Sequence, residues 1–184
     1  VFGLNYGWEH PLWFAPQGVE PKEDYGFKRQ DWWHHVKSEC DNLRTNVGIV
    51  DVSNFGKYEV KGQGASQWVD KIIANNVPKE IGRSCLTPLI GIRGGVAGDF
   101  TVTKLNDEHF FIVGSGMAER YHIRFFEMIE RPNSVDFQSL TEEMCGFNVA
   151  GPKSRTLLSR MTQEDLSNEN WKFMRSRSIT IAGI

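Results

Sequence analysis

The chain has 184 residues, of which 40% are hydrophobic and 24% charged, a composition typical of globular proteins and unlike that of disordered ones. Its net charge of -2 gives no broad attraction to nucleic acid or anionic membranes, and no apolar run approaches the roughly 18 residues of a membrane span. The three cysteines lie far apart and cannot all pair, which favours a reducing compartment. We therefore expect a cytoplasmic protein, or a mitochondrial matrix protein if its source is eukaryotic. The first residue is not Met and residues 178–184 resemble an interrupted strand, so a fragment of a longer protein is expected.

The first 46 residues divide into an arm and a helix. Residues 1–30 are rich in glycine, proline and aromatic side chains without periodicity, which predicts an extended arm whose rings pack on another surface. Over residues 31–46 the apolar side chains recur every three or four positions, as on one face of an amphipathic helix. Gly48 supplies the stop signal for this helix.

The rest of the chain mixes short strands and helices. The predicted elements are strands at 49–53 and 57–60, a helix at 65–73, a strand at 85–92, a hairpin at 100–113, a helix at 118–129, strands at 135–140 and 145–149, and a helix after Pro152. This mixture predicts an α+β fold with antiparallel or mixed sheets flanked by helices.

The order strand, glycine turn, helix occurs twice, at 58–69 and at 147–158, which suggests a weak internal repeat. A second subdomain similar to the first is therefore expected. The predicted domains are an arm at 1–30, a first subdomain at 31–131 and the truncated start of a second at 132–184.

Residues 91–105 carry four glycines in eight positions, followed directly by Asp99 and an alternating segment. Glycine permits a bend or a close approach of the backbone to a ligand, which is typical of a pocket wall. The alternation from Phe100 onward places Asp99 and Thr101 on the polar face of a half-buried strand. From this segment alone, Asp99 either ends a turn and faces water or faces a ligand.

The hairpin register predicts the neighbours of Asp99. If the hairpin is symmetric about Asp107, the numbers of facing residues sum to about 214, because antiparallel pairs keep a constant sum. Asp99 then lies opposite Ser115 and next to Gly114.

Two glycine motifs imitate phosphate-binding sites but fail on spacing. The segment Gly62–Gln67 begins like a dinucleotide-binding motif, but its third glycine position is Gln67 and no β-α-β unit surrounds it. The segment Gly146–Ser154 imitates a P-loop, but Pro152 breaks the spacing and removes one backbone N–H.

Metal and nucleic-acid sites are not predicted. His34 and His35 are adjacent, so on a helix they point to different sides, and Cys40 does not share a metal-binding spacing with either. Lysine and arginine are scattered along the chain and not clustered with aromatic residues, so no nucleic-acid partner is expected.

Several segments match one known family in order and spacing. They are Leu43–Gly62, Ile73–Val77, Gly82–Arg83, Thr87–Pro88, Gly94–Asp99 and Val149–Lys153. Together they resemble the glycine-cleavage T-protein (aminomethyltransferase) family. The arm segments Gly7–Ala15, Tyr25–Arg29 and Trp32–Trp33 resemble the branch that is fused to flavin-dependent sarcosine and dimethylglycine dehydrogenases. In that branch an FAD-binding half precedes the T-protein-like half, and FAD is expected only there.

The resemblance implies a three-lobed protein that holds tetrahydrofolate in a central channel. It identifies Asp99 as the acidic residue near the folate N10, where a fixed carboxylate orients the amine, stabilises positive charge and can accept a proton. The residues implied to contact folate are Phe55, Leu86, Thr101 and Gly114, joined through the predicted register by Ser115. Ordinary core packing is the alternative for Phe55 and Leu86, and hydrogen bonding to backbone or water is the alternative for the two hydroxyls.

Four positions depart from the transferase branch of the family. That branch commonly has Met at position 55, Tyr at 86, Asn at 114 and a second acid at 98, where this chain has Phe55, Leu86, Gly114 and Gly98. These replacements favour the dehydrogenase-fused branch.

The expected function is therefore capture of a one-carbon unit on tetrahydrofolate, giving 5,10-methylenetetrahydrofolate. The carbon would arrive as an iminium made from a small N-methyl amine by an FAD-binding domain of the same full-length chain. The alternatives are a free-standing aminomethyltransferase or demethylase, and a non-catalytic folate-binding module.

Overall fold

The computed structural model describes residues 1–5 and 7–184. Contacts between residues divide these into two units, one formed by Val1–Ile49 with Val149–Leu158 and the other by Val50–Asn148 with Ser159–Ile184. The arm and two subdomains expected from the sequence stay a prediction. In the described part of the chain, no helix is both long enough and apolar enough to cross a membrane.

The first unit contains a hairpin and two helices. Strands β1 (Phe2–Asn5) and β2 (Trp8–Pro11) pair antiparallel, and the helices are α1 (Trp33–Thr45) and α4 (Ser154–Leu158). The prediction of α1 is confirmed, and the two strands lie within the predicted extended arm, where the sequence did not predict their pairing.

One aromatic ring of the arm packs inside this unit. Trp13 is buried, its ring stacks on His35 at 5.6 Å between centroids, and its Nε1 donates to Glu23 at 2.8 Å. Trp8, Tyr25 and Phe27 are exposed.

The second unit is built on a five-stranded antiparallel sheet, which confirms the predicted α+β class. Its strands, in spatial order, are β5 (Ser84–Ile90), β6 (Val96–Asn106), β7 (His109–Gly114), β4 (Gly56–Lys61) and β8 (Asp136–Ser139). Helices α2 (Ala65–Ile72) and α3 (Glu119–Glu127) belong to this unit, with a 3-10 turn at Gly116–Ala118. Strands β3 (Gly48–Asp51) and β9 (Phe147–Ala150) form a separate two-stranded sheet.

The core lies on one face of the five-stranded sheet because alternate side chains of its strands point to the same side. The buried apolar residues are Tyr58, Val60, Ala65, Trp68, Val69, Ile72, Leu89, Phe100, Val102, Phe110, Ile112, Phe126 and Val135. Helix α2 starts where the Glu108 carboxylate accepts hydrogen bonds from the Gly64 and Ala65 N–H groups at 3.0 and 3.1 Å. An acidic group at a helix N-terminus is stabilising because it satisfies free N–H groups.

The predicted register of the hairpin is confirmed from Thr101 to Lys104, whereas β7 ends at Gly114, before the predicted pairing of Asp99 with Ser115. Thr101 lies opposite Val113 and Val102 opposite Ile112, up to an irregularity between Lys104 and Asn106. The strand itself starts earlier than predicted, at Val96.

The glycine run forms a tight turn between β5 and β6. The Gly91 N–H donates to the Gly95 carbonyl at 2.8 Å, and Gly94 has a φ of 81°, which favours glycine. The sequence suggested that Asp99 stands at the start of this strand. Because β6 begins at Val96, Asp99 lies inside the strand instead.

The strand expected at 178–184 is wrong. Ala182 and Gly183 have φ angles of 53° and 88°, and the Ile184 N–H donates to the Ile181 carbonyl at 3.0 Å. These residues therefore form a turn, and a left-handed backbone cannot continue a strand.

Candidate functional site

A pocket of about 400 Å³ lies at one end of the five-stranded sheet, and we call it the Asp99 pocket. It is lined by Asn54, Phe55, Leu86, Asp99, Phe100, Thr101, Val113, Gly114, Ser115, Gly116 and Met117. All six site residues proposed from the sequence are therefore brought together at one pocket. Their segments are distant in the sequence, so the sheet register is what assembles them.

Three lining residues form a row across the sheet. Leu86 on β5 pairs with Thr101 on β6, and Thr101 pairs in turn with Val113 on β7. Residues directly opposite in antiparallel strands point to the same face, so this row forms one wall. Leu86 is 63% exposed, which removes the alternative that it is an ordinary core residue.

The Asp99 side chain projects from the same face of β6 as Thr101, because the two residues are two positions apart. Its backbone pairs with Pro88, and the residue is exposed. Within residues 1–5 and 7–184, no group donates a hydrogen bond to its carboxylate and no cation pairs with it. The arrangement therefore offers a free carboxylate beside a mostly apolar wall.

Two hydroxyl side chains also reach this pocket. Thr101 is half-buried, and Ser115 is exposed at the start of the 3-10 turn without a side-chain capping bond. Neither hydroxyl has a protein partner in the part of the chain that the structure describes. Both are available to a polar ligand.

Phe55 reaches the pocket from the turn before β4 and is 42% exposed. Its backbone is held by Lys57, whose ammonium donates to the carbonyls of Ser53 at 2.7 Å, Phe55 at 3.0 Å and Thr141 at 3.4 Å. Lys57 is only 4% exposed, so its charge is compensated by these carbonyl dipoles. Sequence reasoning missed this residue, because a lysine in an alternating strand looks like an ordinary surface residue.

Gly114 contributes only its backbone to the pocket, because the Phe100 ring fills the space beside it. A Cβ on Gly114 would lie 2.5 Å from Phe100 Cε1, and a Cβ on Gly98 would lie 2.7 Å from Phe100 Cε2. Both distances are too short for real carbon contacts. One ring thus leaves no room for a side chain at either position.

The Phe100 ring is supported from behind by a buried polar pair. The hydroxyl of Tyr58 and Nδ1 of His122 are 3.1 Å apart, and the Phe100 and His122 rings meet at 4.6 Å between centroids. Burial lowers the pKa of His122, against a weaker opposing effect of the Glu119 charge, and burial likewise raises the pKa of Tyr58. The pair is therefore neutral at neutral pH.

The described residues include no group of three or more His, Cys, Asp or Glu side chains that could hold a metal ion.

Comparison with known proteins places the chain in a family. The model of the GCVT N-terminal domain family matches residues 1–184. Dimethylglycine dehydrogenase from Rattus norvegicus, named as mitochondrial, is 32% identical over 184 residues, which cover 99% of this chain and 21% of that protein. Aminomethyltransferase from Thermoanaerobacter sp. (strain X514) is 30% identical over 150 residues, which cover 81% of this chain and 40% of that protein.

A solved structure shows the same fold. The glycine cleavage system aminomethyltransferase T from Bartonella henselae superposes with a TM-score of 0.74 at 20% identity, over 95% of this chain and 42% of that one. In sequence, this chain spans about a fifth of the length of its dimethylglycine dehydrogenase relative. It belongs to the GCVT N-terminal domain family and is an aminomethyltransferase-like domain related to dimethylglycine and sarcosine dehydrogenases.

Proposed function

We propose that this domain binds tetrahydrofolate in the Asp99 pocket and loads a one-carbon unit onto it, giving 5,10-methylenetetrahydrofolate. The observation that carries the proposal is the gathering of Asp99, Phe55, Leu86, Thr101 and Gly114 at a single pocket that contains an unpaired carboxylate. Its volume of about 400 Å³ lies in the range of small-molecule sites.

The side chains of the pocket suit the two chemical parts of the folate reaction centre. The apolar wall of Leu86 and Val113, with Phe55 beside it, fits the flat face of an aromatic amine. Asp99 stands beside that wall, where an N10 amine that attacks an electrophilic carbon becomes positively charged and must lose a proton. Its carboxylate stabilises that charge and accepts the proton, and because it has no protein partner no existing ion pair has to break first.

We further propose that the domain works as the folate part of a longer, flavin-dependent N-methyl amine dehydrogenase. An FAD-binding part of the full-length chain would oxidise an N-methyl group to an iminium, with the flavin taking the two electrons. In this domain one folate nitrogen would add to the iminium carbon, and the second folate nitrogen would then displace the demethylated amine, so that the methylene bridge forms before formaldehyde is released. The name of the Rattus relative supports this assignment, and it supports a mitochondrial location if the source is eukaryotic.

The other candidate is a free-standing aminomethyltransferase or demethylase, and the Thermoanaerobacter relative favours it. The gene region upstream of Val1 discriminates between the two. A dinucleotide-binding half encoded there supports the dehydrogenase, and a start codon just upstream supports the transferase. A non-catalytic folate-binding module is a third candidate, and it would bind folate without turnover.

The experiment is Asp99→Asn in the complete polypeptide, with both methylene-tetrahydrofolate formation and amine oxidation measured. We expect the folate-dependent rate to fall by about 100-fold or more, the usual range for loss of a general base, while amine oxidation is unchanged. Asp70→Asn is the matched control, because Asp70 is exposed on helix α2 away from the pocket. If Asp99→Asn forms as much methylene-tetrahydrofolate per amine oxidised as the native protein does, the proposal is contradicted.

A further inference from the structure

Two turns contribute lining residues to the Asp99 pocket. One turn precedes β4 and carries Asn54 and Phe55, and the other is the 3-10 turn before α3, which carries Gly116 and Met117. The two turns are in contact, because a Cβ on Gly116 would overlap the Asn54 carbonyl oxygen. The spacing between the turns therefore helps to set the shape of the pocket.

Lys57 holds the first turn through its side chain. Its ammonium donates to the carbonyls of Ser53 and Phe55 at 2.7 and 3.0 Å and to the carbonyl of Thr141 at 3.4 Å. Lys57 is buried, and in the part of the chain that the structure describes no carboxylate forms an ion pair with it. Three carbonyls thus occupy its three donors, and each donor constrains the backbone that it contacts.

A chain of hydrogen bonds continues from Lys57 towards the second turn. The Lys57 N–H donates to Thr141 Oγ1 at 3.1 Å, and the hydroxyl oxygens of Thr141 and Ser139 are 3.1 Å apart. Ser139 Oγ donates to the Glu119 carboxylate at 2.6 Å. Because a hydroxyl has one proton, Ser139 cannot also donate to Thr141, so the bond between them runs from Thr141 to Ser139. The donors are then all aligned in one direction, which ends at a carboxylate.

This chain of hydrogen bonds joins the two turns. Glu119 is the first residue of α3 and directly follows the 3-10 turn at Gly116–Ala118. We call Lys57, Thr141, Ser139 and Glu119 the Lys57–Glu119 network. Hydrogen bonds in a chain strengthen one another, and bonds to charged groups are stronger than those between neutral groups. Because the network has an ammonium at one end and a carboxylate at the other, each charge strengthens the link to the turn beside it.

We propose that Lys57 and Glu119 are positioning residues, which keep the two turns at the spacing that the Asp99 pocket needs to bind tetrahydrofolate. This inference rests on the proposed function. Neither residue lines the pocket, so each acts through the turns, and Lys57 acts above all through Phe55. A displacement of about 1 Å at a positioned group can cost on the order of 100-fold in catalysis, so small shifts of these turns matter.

The test measures equilibrium binding of tetrahydrofolate to the complete polypeptide and to its Lys57→Met and Glu119→Gln variants. We expect the affinity to fall about tenfold in Lys57→Met and about threefold in Glu119→Gln, which keeps an acceptor oxygen but loses the charge. Lys61→Met on β4 and Glu127→Gln on α3 are the charge-matched controls, because both residues are exposed and outside the pocket, and they should keep native affinity. Native affinity in both test variants overturns this inference and leaves the proposed function standing. Failure of the native protein to bind tetrahydrofolate overturns both.

A double-mutant cycle with Phe55→Ala separates positioning from a general loss of stability. Once the Phe55 ring is absent, Lys57→Met has less left to misplace, so its effect on affinity should shrink from about tenfold to less than about threefold. A general loss of stability would weaken binding by the same factor with and without the ring. Glu119→Gln preserves side-chain volume and keeps the test decisive if Lys57→Met fails to fold, and its effect should likewise shrink, to less than about twofold. Equal effects in the presence and absence of the ring assign the network a purely structural role and overturn the inference.

Discussion

Consecutive residues of β6 face opposite sides of the five-stranded sheet, and they contribute to the core on one side and to the Asp99 pocket on the other. On the inner face Phe100 is buried against Tyr58, His122 and Phe126. On the outer face its neighbours Asp99 and Thr101 are exposed or half-buried at the pocket. Because successive side chains of a strand alternate, the core and the site are set by one backbone.

This comparison shows which face controls the shape of the pocket. Gly114 lines the pocket and Gly98 precedes Asp99 on β6, yet the ring that forbids a side chain at either position lies on the core side. A core residue therefore restricts which side chains positions 98 and 114 can carry, whereas residues on the outer face can vary with little effect on core packing. Four changes test this division.

The largest effect is expected for Phe100→Ala, which removes the ring that both glycines contact. We expect the free energy of unfolding to fall by about 3–5 kcal/mol, because a buried aromatic side chain is lost and a cavity remains. Denaturant unfolding followed by tryptophan fluorescence measures this. A loss below about 1 kcal/mol would show that the inner face does not depend on this ring.

Gly114→Ala should destabilise the protein by about 1–3 kcal/mol, because the new methyl group is forced into the Phe100 ring. Combining it with Phe100→Val removes the obstructing ring atoms, so the double variant should be more stable than the sum of the two single effects predicts. Gly95→Ala is the matched control, since a Cβ there meets nothing within 4 Å. If the two changes in the free energy of unfolding simply add in the double variant, the methyl group at position 114 and the Phe100 ring do not compete for the same space.

Acid should weaken the inner face through His122. Its folded pKa is lowered by burial, so below about pH 6.5 the unfolded state takes up a proton that the folded state resists, and stability falls as pH falls. The expected slope is at most about 1.4 kcal/mol per pH unit, and it ends once pH drops below the folded pKa. Unfolding curves at several pH values should show this slope in the native protein and lose it in His122→Gln. An identical slope in both would assign it to other groups.

The smallest effect on stability is expected for Leu86→Ala on the outer face. Because the side chain is 63% exposed, the free energy of unfolding should change by no more than about 0.5 kcal/mol. Tetrahydrofolate affinity should nevertheless fall, by about tenfold, since the pocket wall loses apolar contact area. A stability loss as large as that of Phe100→Ala would erase the distinction between the two faces.

The sequence predicted the elements with clear periodicity and the register of the central hairpin. In helices α1 and α2 the apolar side chains recur every three to four residues. A hairpin that is symmetric about Asp107 has one strand register, and that register places Thr101 opposite Val113. The same register explains why the predicted pocket residues are neighbours.

Other features depend on contacts that no local pattern encodes. The β1–β2 hairpin has no alternation of polar and apolar residues, and the extra length of β6 depends on pairing of glycine-rich backbone with β5. The buried anchor Lys57 is recognisable only once Ser53 and Thr141 are known to surround it. Glycine is needed at positions 98 and 114 because the Phe100 ring fills the space beside both, and no local sequence pattern shows which ring lies there.

The shared ring also restricts how this sequence can change over generations. A mutation that adds a side chain at position 98 or 114 is harmful while Phe100 is present, so a smaller residue at 100 has to come first. That first step carries its own penalty in stability, which a compensating change elsewhere in the core must offset. Positions 98 and 114 are therefore coupled to position 100, and a change at either of them depends on a residue that lies behind the pocket.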